Sequence, residues 1–166
     1  SFAPSKMMLI DSAETPQHDI RRMMAHDFPS VPCATVVTSI TKADRMENIF
    51  KTFLPEYVFH AAAYKHVPMM EDNPCESIQN NVLGTKILAD LSVKYGVRRF
   101  VMVSTDKAVN PTNVMGCSKR ICEVYVQSLN KAERDGVVKG QTQFITTRFG
   151  NVLGSNGSVI PIFERQ

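Results

Sequence analysis

An acid and an amine stand side by side after two hydroxyl residues, and this segment of the sequence is the best equipped for chemistry. Ser104, Thr105, Asp106 and Lys107 are consecutive. An adjacent acid and base can move protons at neighbouring carbon atoms when burial and mutual charge adjust their pKa values. An ordinary surface turn is the alternative interpretation, but the hydroxyl pair and the apolar run before it favour a site.

Two further candidates follow in a segment that is predicted to be helical. Met115 and Lys119 are four residues apart, which places them one turn apart on the same helix face. Residues 104–119 therefore carry the densest set of candidate catalytic groups in the sequence.

Polar or small residues also follow two other apolar runs. The carboxylate of Asp11 could accept hydrogen bonds from the ribose hydroxyls of a dinucleotide, although Asp11 or Ser12 could equally cap the next helix. Ala61, Ala62 and Ala63 would let a cofactor approach the backbone, although close packing of a helix explains them equally well.

Asn81 lies in the middle of a predicted helix, where a buried amide must find partners in irregular backbone or water. Residues 148–158 are rich in glycine and polar side chains directly after an apolar run. Backbone N–H groups and Asn side chains in such a segment can wrap a phosphate-bearing ligand. A flexible loop is the alternative.

The elements between these segments must position them, and short apolar runs alternate with longer helical patterns along the sequence. Strands are predicted at residues 6–10, 34–40, 57–61, 99–104 and 143–148, and helices at 16–26, 42–53, 74–95 and 114–134. This alternation predicts an α/β fold with a Rossmann-like, doubly wound parallel sheet. Ligands bind at the carboxyl ends of such strands, so the polar segments there predict one cleft.

The composition excludes several other classes. The chain has 166 residues, 43% of them hydrophobic and 21% charged, and a net charge of +3. This charge is small and its lysines and arginines are scattered, so no nucleic acid partner is predicted. No apolar run approaches the ~20 residues of a membrane span, and we expect the segment to be soluble. The cysteines and histidines lack metal-ligand spacing, so no metal is predicted and reduced, cytosolic thiols are expected.

Together these segments resemble the extended short-chain dehydrogenase/reductase family. Within it they resemble the capsular polysaccharide biosynthesis branch, which includes UDP-N-acetylglucosamine 4,6-dehydratases. The resemblance covers essentially the whole chain. Its most specific parts are HAAAYKHVP at residues 60–68, NVLGT at 81–85, STDKAVNP at 104–111 and RFGNVLG at 148–154.

The resemblance implies a nicotinamide cofactor, NAD or NADP with NAD favoured, and a UDP-sugar substrate. The implied cofactor-binding residues are Asp11, Ser12, Ala61, Ala62, Ala63, Asn81 and Lys119. The implied substrate-binding residues are Lys65, Ser104, Asn151 and Ser158. The implied catalytic residues are Thr105, Asp106, Lys107, Met115 and Lys119.

The reaction that the resemblance implies is a 4,6-dehydration. Hydride leaves C4 of the sugar for the cofactor, a base removes the C5 proton, an acid protonates the departing C6 hydroxyl, and the hydride returns to C6. Lys107 is implied as the base and Asp106 as the acid, with Thr105 acting at the C4 hydroxyl.

The sequence departs from the wider family at two places. Most members have Tyr-x-x-x-Lys where this chain has Met115-x-x-x-Lys119, and methionine cannot exchange a proton. The C4 hydroxyl proton must then pass through Thr105, Asp106 or water. The long, membrane-anchored members of the dehydratase branch share this methionine. Thr38 and Ser39 stand where many relatives have Gly-Asp and use the carboxylate on adenine.

Both ends of the sequence are interpreted as internal cuts, so that residues 1–166 form a partial NAD(P)-binding Rossmann domain. The expected G-x-G-x-x-G loop and its strand would lie before Asp11. In the strand order 3-2-1-4-5-6, that strand separates the one ending at Ile10 from the one ending at Ala61. We therefore expect a split sheet that re-pairs, borrows a strand or keeps an unpaired edge, and a segment that is inactive alone.

Three functions stay open at this point: a UDP-sugar 4,6-dehydratase, a UDP-sugar 4-epimerase, and a non-catalytic nucleotide-binding module of a polysaccharide assembly complex. An epimerase needs no acid at C6 and would normally keep the tyrosine, so Asp106 and Met115 argue against it. For the parent protein the resemblance implies a homo-oligomer that is anchored on the cytoplasmic face of the inner membrane.

Overall fold

Five short strands form the centre of the fold. A computed structural model describes residues 3–150. Its strands are Met7–Asp11 (β1), Cys33–Val37 (β2), Tyr57–His60 (β3), Arg99–Thr105 (β4) and Gln143–Phe149 (β5). Each is rich in β-branched, aromatic or other apolar residues, which suit a pleated surface that is covered by helices. All five lie where the sequence predicts strands, although β2 ends at Val37, before the predicted end at residue 40.

Six α-helices connect and cover the strands. They are Glu14–Asp27 (α1), Ala43–Phe53 (α2), Val67–Asp72 (α3), Pro74–Ser77 (α4), Gly84–Lys94 (α5) and Val114–Arg134 (α6). The short α3 was not predicted, because six residues are too few to show a helical period. Among residues 3–150, no helix has both the length and the apolar character needed to cross a bilayer.

The helix predicted over residues 74–95 is interrupted. α4 leads into a π-helical turn, Ile78–Leu83, before α5 begins at Gly84. Such wide turns inside helices are found frequently at functional sites. Here the turn carries Asn81, one of the predicted cofactor-binding residues.

The five strands are parallel and fall into two groups. β1 pairs with β2, while β3, β4 and β5 pair in that order. The predicted split of the sheet between β1 and β3 is therefore confirmed. Within residues 3–150, the ladder joins β1 to β2 and β3 to β4.

One apolar core holds the two groups of strands together. Ile40, which follows β2, and Phe50 of α2 share this core with Leu88 of α5 and Phe100 of β4. A Cβ at Gly84 would lie 2.4 Å from Ile40 Cδ1, so the glycine lets Ile40 pack directly on the first turn of α5. The carboxyl ends of β2 and β3 are thereby brought to one edge.

Candidate active site

A cavity of about 240 Å³ opens at the carboxyl ends of β1, β2 and β3. Its lining joins three segments that are far apart in the sequence. The lining residues are Asp11, Ser12, Thr38, Ser39, Ile40, Ala61, Ala62, Ala63, Tyr64 and Asn80. Five of the predicted cofactor-binding residues thus meet in one place. A wider depression along α1 involves residues of that helix alone and lies against none of the predicted site residues.

Asp11 lies at the rim of this cavity and is exposed. Its Oδ1 accepts a hydrogen bond from the backbone N–H of Ala13 at 2.8 Å. Ala13, not Asp11 or Ser12, is the N-cap residue of α1, and no side chain caps that helix. The alternative interpretation of Asp11 or Ser12 as the N-cap is therefore wrong, while a role toward a ribose stays a prediction.

The side chain of Asn81 fixes the chain that lines the cavity after β3. Its Oδ1 accepts from Tyr64 N–H at 2.8 Å, and its Nδ2 donates to Tyr64 O at 3.1 Å. The same amide accepts from Asn80 and donates to Ser118 Oγ in α6. The buried amide uses all four of its hydrogen-bonding positions. Asn81 therefore shapes the backbone of Ala61–Tyr64, a segment with few side-chain atoms of its own.

A second layer of buried polar groups supports Asn81. Thr85 Oγ1 donates to Asn81 O at 2.6 Å and lies 2.8 Å from His60 Nε2. Because the hydroxyl hydrogen is used for Asn81, the ring of His60 must donate to Thr85 from Nε2. Burial, together with the positive charge of Lys119, lowers the pKa of His60 to about 3. This network carries no charge at neutral pH.

The predicted acid–amine pair lies at the end of β4, in a single 3₁₀ turn formed by Asp106–Ala108. Asp106 Oδ1 accepts a hydrogen bond from Thr105 Oγ1 at 2.9 Å and lies 3.4 Å from Lys107 Nζ. The Thr105 hydroxyl and the Lys107 ammonium hold the pKa of Asp106 below its usual range, against the opposing effect of burial. The carboxylate therefore contacts both the hydroxyl and the amine.

The first turn of α6 packs closely against this pair. A Cβ at Gly116 would lie 2.5 Å from the carbonyl oxygen of Lys107. Met115 and Lys119 are 4% and 5% exposed and lie on the buried side of the same helix. Burial lowers the pKa of Lys119, against the attraction of Cys122 and Glu123.

Two contacts fix the start of α6. Asn113 Oδ1 accepts from Gly116 N–H at 2.8 Å, which makes Asn113 the N-cap. Glu71 of α3 accepts from Val114 N–H at 2.6 Å. A carboxylate at this end of a helix is favourable because the first N–H groups lack partners within the helix.

The predicted substrate-binding residues are spread more widely. Lys65 is exposed between β3 and α3, whereas Ser104 is 4% exposed at the end of β4. The hydroxyl of Ser104 helps to lower the pKa of Glu123 in α6, although no hydrogen bond of ordinary geometry joins the two. Asn151 and Ser158 lie outside the described residues. Within residues 3–150, no cluster of three or more metal-ligating side chains occurs.

Sequence reasoning missed several residues that build the site. Thr85, Ser118 and Glu123 are buried polar residues on helices, and Gly116 permits the close approach of α6. Helical spacing could have found some of them, since Thr85 lies four residues after Asn81 and Glu123 four after Lys119. The backbone contacts of Tyr64 and Val114 leave no signal in residue type.

The parallel strands and their polar carboxyl ends define a Rossmann-like fold of the short-chain dehydrogenase/reductase type. A family model described as "Polysaccharide biosynthesis protein" matches residues 1–166. The chain belongs to that family.

Three curated relatives are informative. The capsular polysaccharide biosynthesis protein CapD of Staphylococcus aureus is 44% identical over 99% of this chain and 27% of its own length. A UDP-N-acetylglucosamine 4,6-dehydratase (inverting) of Campylobacter jejuni is 34% identical over 99% of this chain and 46% of its own. A UDP-glucose 4-epimerase of Rickettsia canadensis is 46% identical over 67% of this chain and 31% of its own. The chain therefore spans less than half of these relatives.

Solved structures share the fold. Pen from Bacillus thuringiensis superposes with a TM-score of 0.86 at 30% identity, over 98% of this chain and 48% of that one. WbmG of Bordetella bronchiseptica, solved with NAD and UDP, gives a TM-score of 0.69 at 22% identity, over 95% of this chain and 58% of that one.

Proposed function

We propose that this chain is the partial NAD(P)-binding domain of an enzyme that carries out 4,6-dehydration of a UDP-N-acetylhexosamine in polysaccharide biosynthesis. The observation that carries the proposal is the Thr105–Asp106–Lys107 contact at the end of β4. A 4,6-dehydration needs a base at C5 and an acid at C6 of one sugar, and this contact supplies an amine and a carboxyl group 3.4 Å apart.

The residues at the ends of β1 and β3 fit a nicotinamide dinucleotide. Ala61, Ala62 and Ala63 form part of the cavity wall, so a ligand could approach the backbone closely along that segment. Asp11 at the rim suits free ribose hydroxyls, which favours NAD over NADP. Lys119 supplies a buried cation next to the reaction end. When bound, the nicotinamide ring would supply hydride acceptance from C4 and hydride return to C6.

The ion pair of Asp106 and Lys107 is one proton transfer away from the pair that the reaction requires. Moving a proton from Nζ to Oδ1 gives a neutral amine, which can take the C5 proton, and a carboxylic acid, which can protonate the C6 hydroxyl. A sugar lying over the turn would displace water. Burial disfavours charged forms, so substrate binding would favour the neutral pair.

Thr105 supplies a route for the C4 hydroxyl proton, which Met115 cannot accept. Its Oγ1 donates to Asp106 Oδ1 and also accepts weakly from the Lys107 backbone N–H, at 3.4 Å. A hydroxyl can relay a proton by accepting one and releasing its own, and because Asp106 already holds the Lys107 proton at this stage, the C4 proton passes through Thr105 to water. Met115 fills the buried face behind this turn.

A UDP-sugar 4-epimerase is the second candidate, favoured by the identity to the Rickettsia canadensis protein. The presence of Met115 and of an acid at residue 106 argues against it. A non-catalytic nucleotide-binding module is the third. The parent protein is further proposed to be a homo-oligomer and to be anchored at the cytoplasmic face of the inner membrane.

The test is incubation of the full-length protein with UDP-N-acetylglucosamine and NAD⁺ in deuterated water, followed by NMR. A 4-keto-6-deoxy sugar with deuterium at C5 is expected. A 4-epimer that keeps its C6 hydroxyl would transfer the assignment to the epimerase, and an absence of turnover with any UDP-sugar would favour the binding module.

The variant Lys107→Ala tests the base directly. Turnover is expected to fall by about 10²–10⁴-fold, the usual contribution of a positioned proton-transfer group. Lys131→Ala removes an exposed amine near the far end of α6 and serves as the matched control. Equal activities of the two variants would contradict the role of Lys107.

A further inference from the structure

Glu123 is a charged group that sits entirely inside the fold without a role in the chemistry described above. Its side chain is 0% exposed, and it lies in α6 one turn after Lys119. Burial alone would raise the pKa of Glu123, but hydrogen bonds from Arg148 and Arg120, helped by the nearby Ser104 hydroxyl, lower it to about 2. The carboxylate is therefore ionised at every pH at which the enzyme could work.

The strongest contact of Glu123 is with the carboxyl end of β5. Arg148 Nε donates to Oε1 at 2.8 Å and its second nitrogen donates to Oε2 at 2.7 Å. Such two-point contacts fix distance and orientation together. Arg120, from the same helix as Glu123, adds a bond of 3.0 Å.

The end of β5 that Glu123 holds is next to the acid–amine pair. Arg148 and Phe149 of β5 stand opposite Ser104 and Thr105 of β4 in the parallel ladder. Beyond Phe149, a Cβ at Gly150 would lie 3.8 Å from Asp106 Oδ2, so the backbone there runs beside the carboxylate. A shift of Arg148 would therefore move both Thr105 and Gly150, which lie on either side of the Asp106 carboxylate.

The opposite end of β5 is held to α6 by an independent contact. Asn130 accepts from Phe144 N–H at 2.9 Å and donates to Phe144 O at 2.8 Å. Residue 144 is at the start of β5, away from the strand ends that carry the site. Side-chain hydrogen bonds therefore join α6 to both ends of β5, between Glu123 and Arg148 at one end and between Asn130 and Phe144 at the other.

We propose that Glu123 is a positioning residue, which through Arg148 sets the carboxyl ends of β4 and β5 against α6 and thereby places Thr105 and Asp106 for proton transfer. The inference rests on the proposed dehydratase function. Glutamine at position 123 would keep the shape but offer only one acceptor oxygen, so it cannot make the two-point contact with the guanidinium.

The experiment compares Glu123→Gln with Asn130→Ala in the full-length enzyme. Glu123→Gln is expected to lower kcat by about 10- to 100-fold, as misplacement of reacting groups does, with little change in KM. Asn130→Ala removes the contact at the other end of the same strand. It is expected to lower Tm by about as much as Glu123→Gln does, while kcat stays within about threefold of wild type. Arg148→Lys, which keeps the charge but loses the fork, is expected to behave like Glu123→Gln and replaces it if that variant does not fold.

Hydrogen exchange at the backbone amides of residues 104–108 gives a readout that does not depend on turnover. Exchange there should quicken in Glu123→Gln and Arg148→Lys and stay at the wild-type rate in Asn130→Ala. Equal changes in all variants, no change in any, or a higher KM with unchanged kcat would overturn the proposal. A wild-type enzyme without dehydratase turnover would remove the proposed function, and the exchange comparison would still decide the positioning role.

Discussion

The two parts of the candidate site are built from different interactions. At the ends of β1, β2 and β3, the neutral side chains of Asn81, Thr85 and His60 hold the chain that lines the cavity after β3. At the ends of β4 and β5, the groups are charged and paired, as in Asp106 with Lys107 and Glu123 with Arg148. We call these the neutral part and the charged part.

The difference follows from what each part is proposed to do. A dinucleotide needs close approach to the backbone, and neutral hydrogen bonds can hold that backbone without the desolvation cost of a buried charge. Proton transfer needs groups that can gain or lose a proton, and ion pairs with neighbouring residues can hold such groups in place. The site therefore uses neutral hydrogen bonds to set shape and ion pairs to set chemistry.

The largest effect is expected from removing the acid of the charged part. Asp106→Asn keeps the hydrogen bond to Thr105 but cannot protonate a leaving hydroxyl, so formation of the 4-keto-6-deoxy sugar should fall by about 10²–10⁴-fold. Lys107 remains and can lose its proton to solvent instead of to residue 106, so deuterium should still enter C5 of recovered UDP-N-acetylglucosamine. NMR of the recovered substrate checks this, and loss of exchange together with elimination would mean that the two residues do not have separate roles.

A smaller effect is expected from moving the charged part without changing its chemistry. Gly116→Ala places a methyl group 2.5 Å from the Lys107 carbonyl oxygen, which must shift to make room. Turnover should fall by about 10²-fold, as it does for displacements of roughly 1 Å, although alanine favours the helix itself by about 1 kcal/mol.

The neighbouring variant Cys117→Ala is the matched control for this change. Cys117 is exposed in the same helical turn, so its truncation should leave kcat at the wild-type value. Unchanged turnover in Gly116→Ala would show that the packing of α6 on the Asp106–Lys107 turn is not needed for activity.

Of the charged part, the sequence predicted the Asp106–Lys107 pair but not the Glu123–Arg148 pair. Ser104 to Lys107 form one continuous stretch after an apolar run, so local order alone places the acid beside the amine. α6 begins and ends at the predicted residues because its cap Asn113 and its long apolar stripe are both visible in the sequence. The partition of the strands into two groups was also predicted, from the strand order of the Rossmann fold.

The neutral part depends on contacts between distant residues, which local patterns do not contain. Asn81 meets Tyr64 through backbone atoms 17 residues away, and Ser118 across 37 residues. The π-helical turn that presents Asn81 has no distinctive composition, so residues 74–95 were predicted as one regular helix. His60 and Thr85 belonged to the most specific motifs, but their mutual hydrogen bond required the fold to be known.

The smallest expected effect is a loss of stability at acid pH, which should begin at a higher pH for the neutral part than for the charged part. The pKa of His60 is lowered from its usual 6.5 to about 3. Between these pH values the imidazole is protonated in the unfolded chain and neutral in the folded chain. The free energy of unfolding must then fall as pH drops below 6.5, by about 1.4 kcal/mol per pH unit, or about 2 kcal/mol between pH 7 and pH 5. The pKa of Glu123 is lowered to about 2. The free energy that its ionised carboxylate contributes to folding is therefore lost only below about pH 4.5.

Urea denaturation at pH 7, 6 and 5 measures this difference. His60→Gln keeps a donor toward Thr85 without a titrating ring, so its free energy of unfolding should depend on pH by about 2 kcal/mol less than that of wild type over this range. His18→Gln changes an exposed histidine of α1 and should retain the wild-type dependence. If all three proteins lose stability equally between pH 7 and pH 5, the neutral part does not depend on an uncharged His60, and the contrast between the two parts fails at that residue.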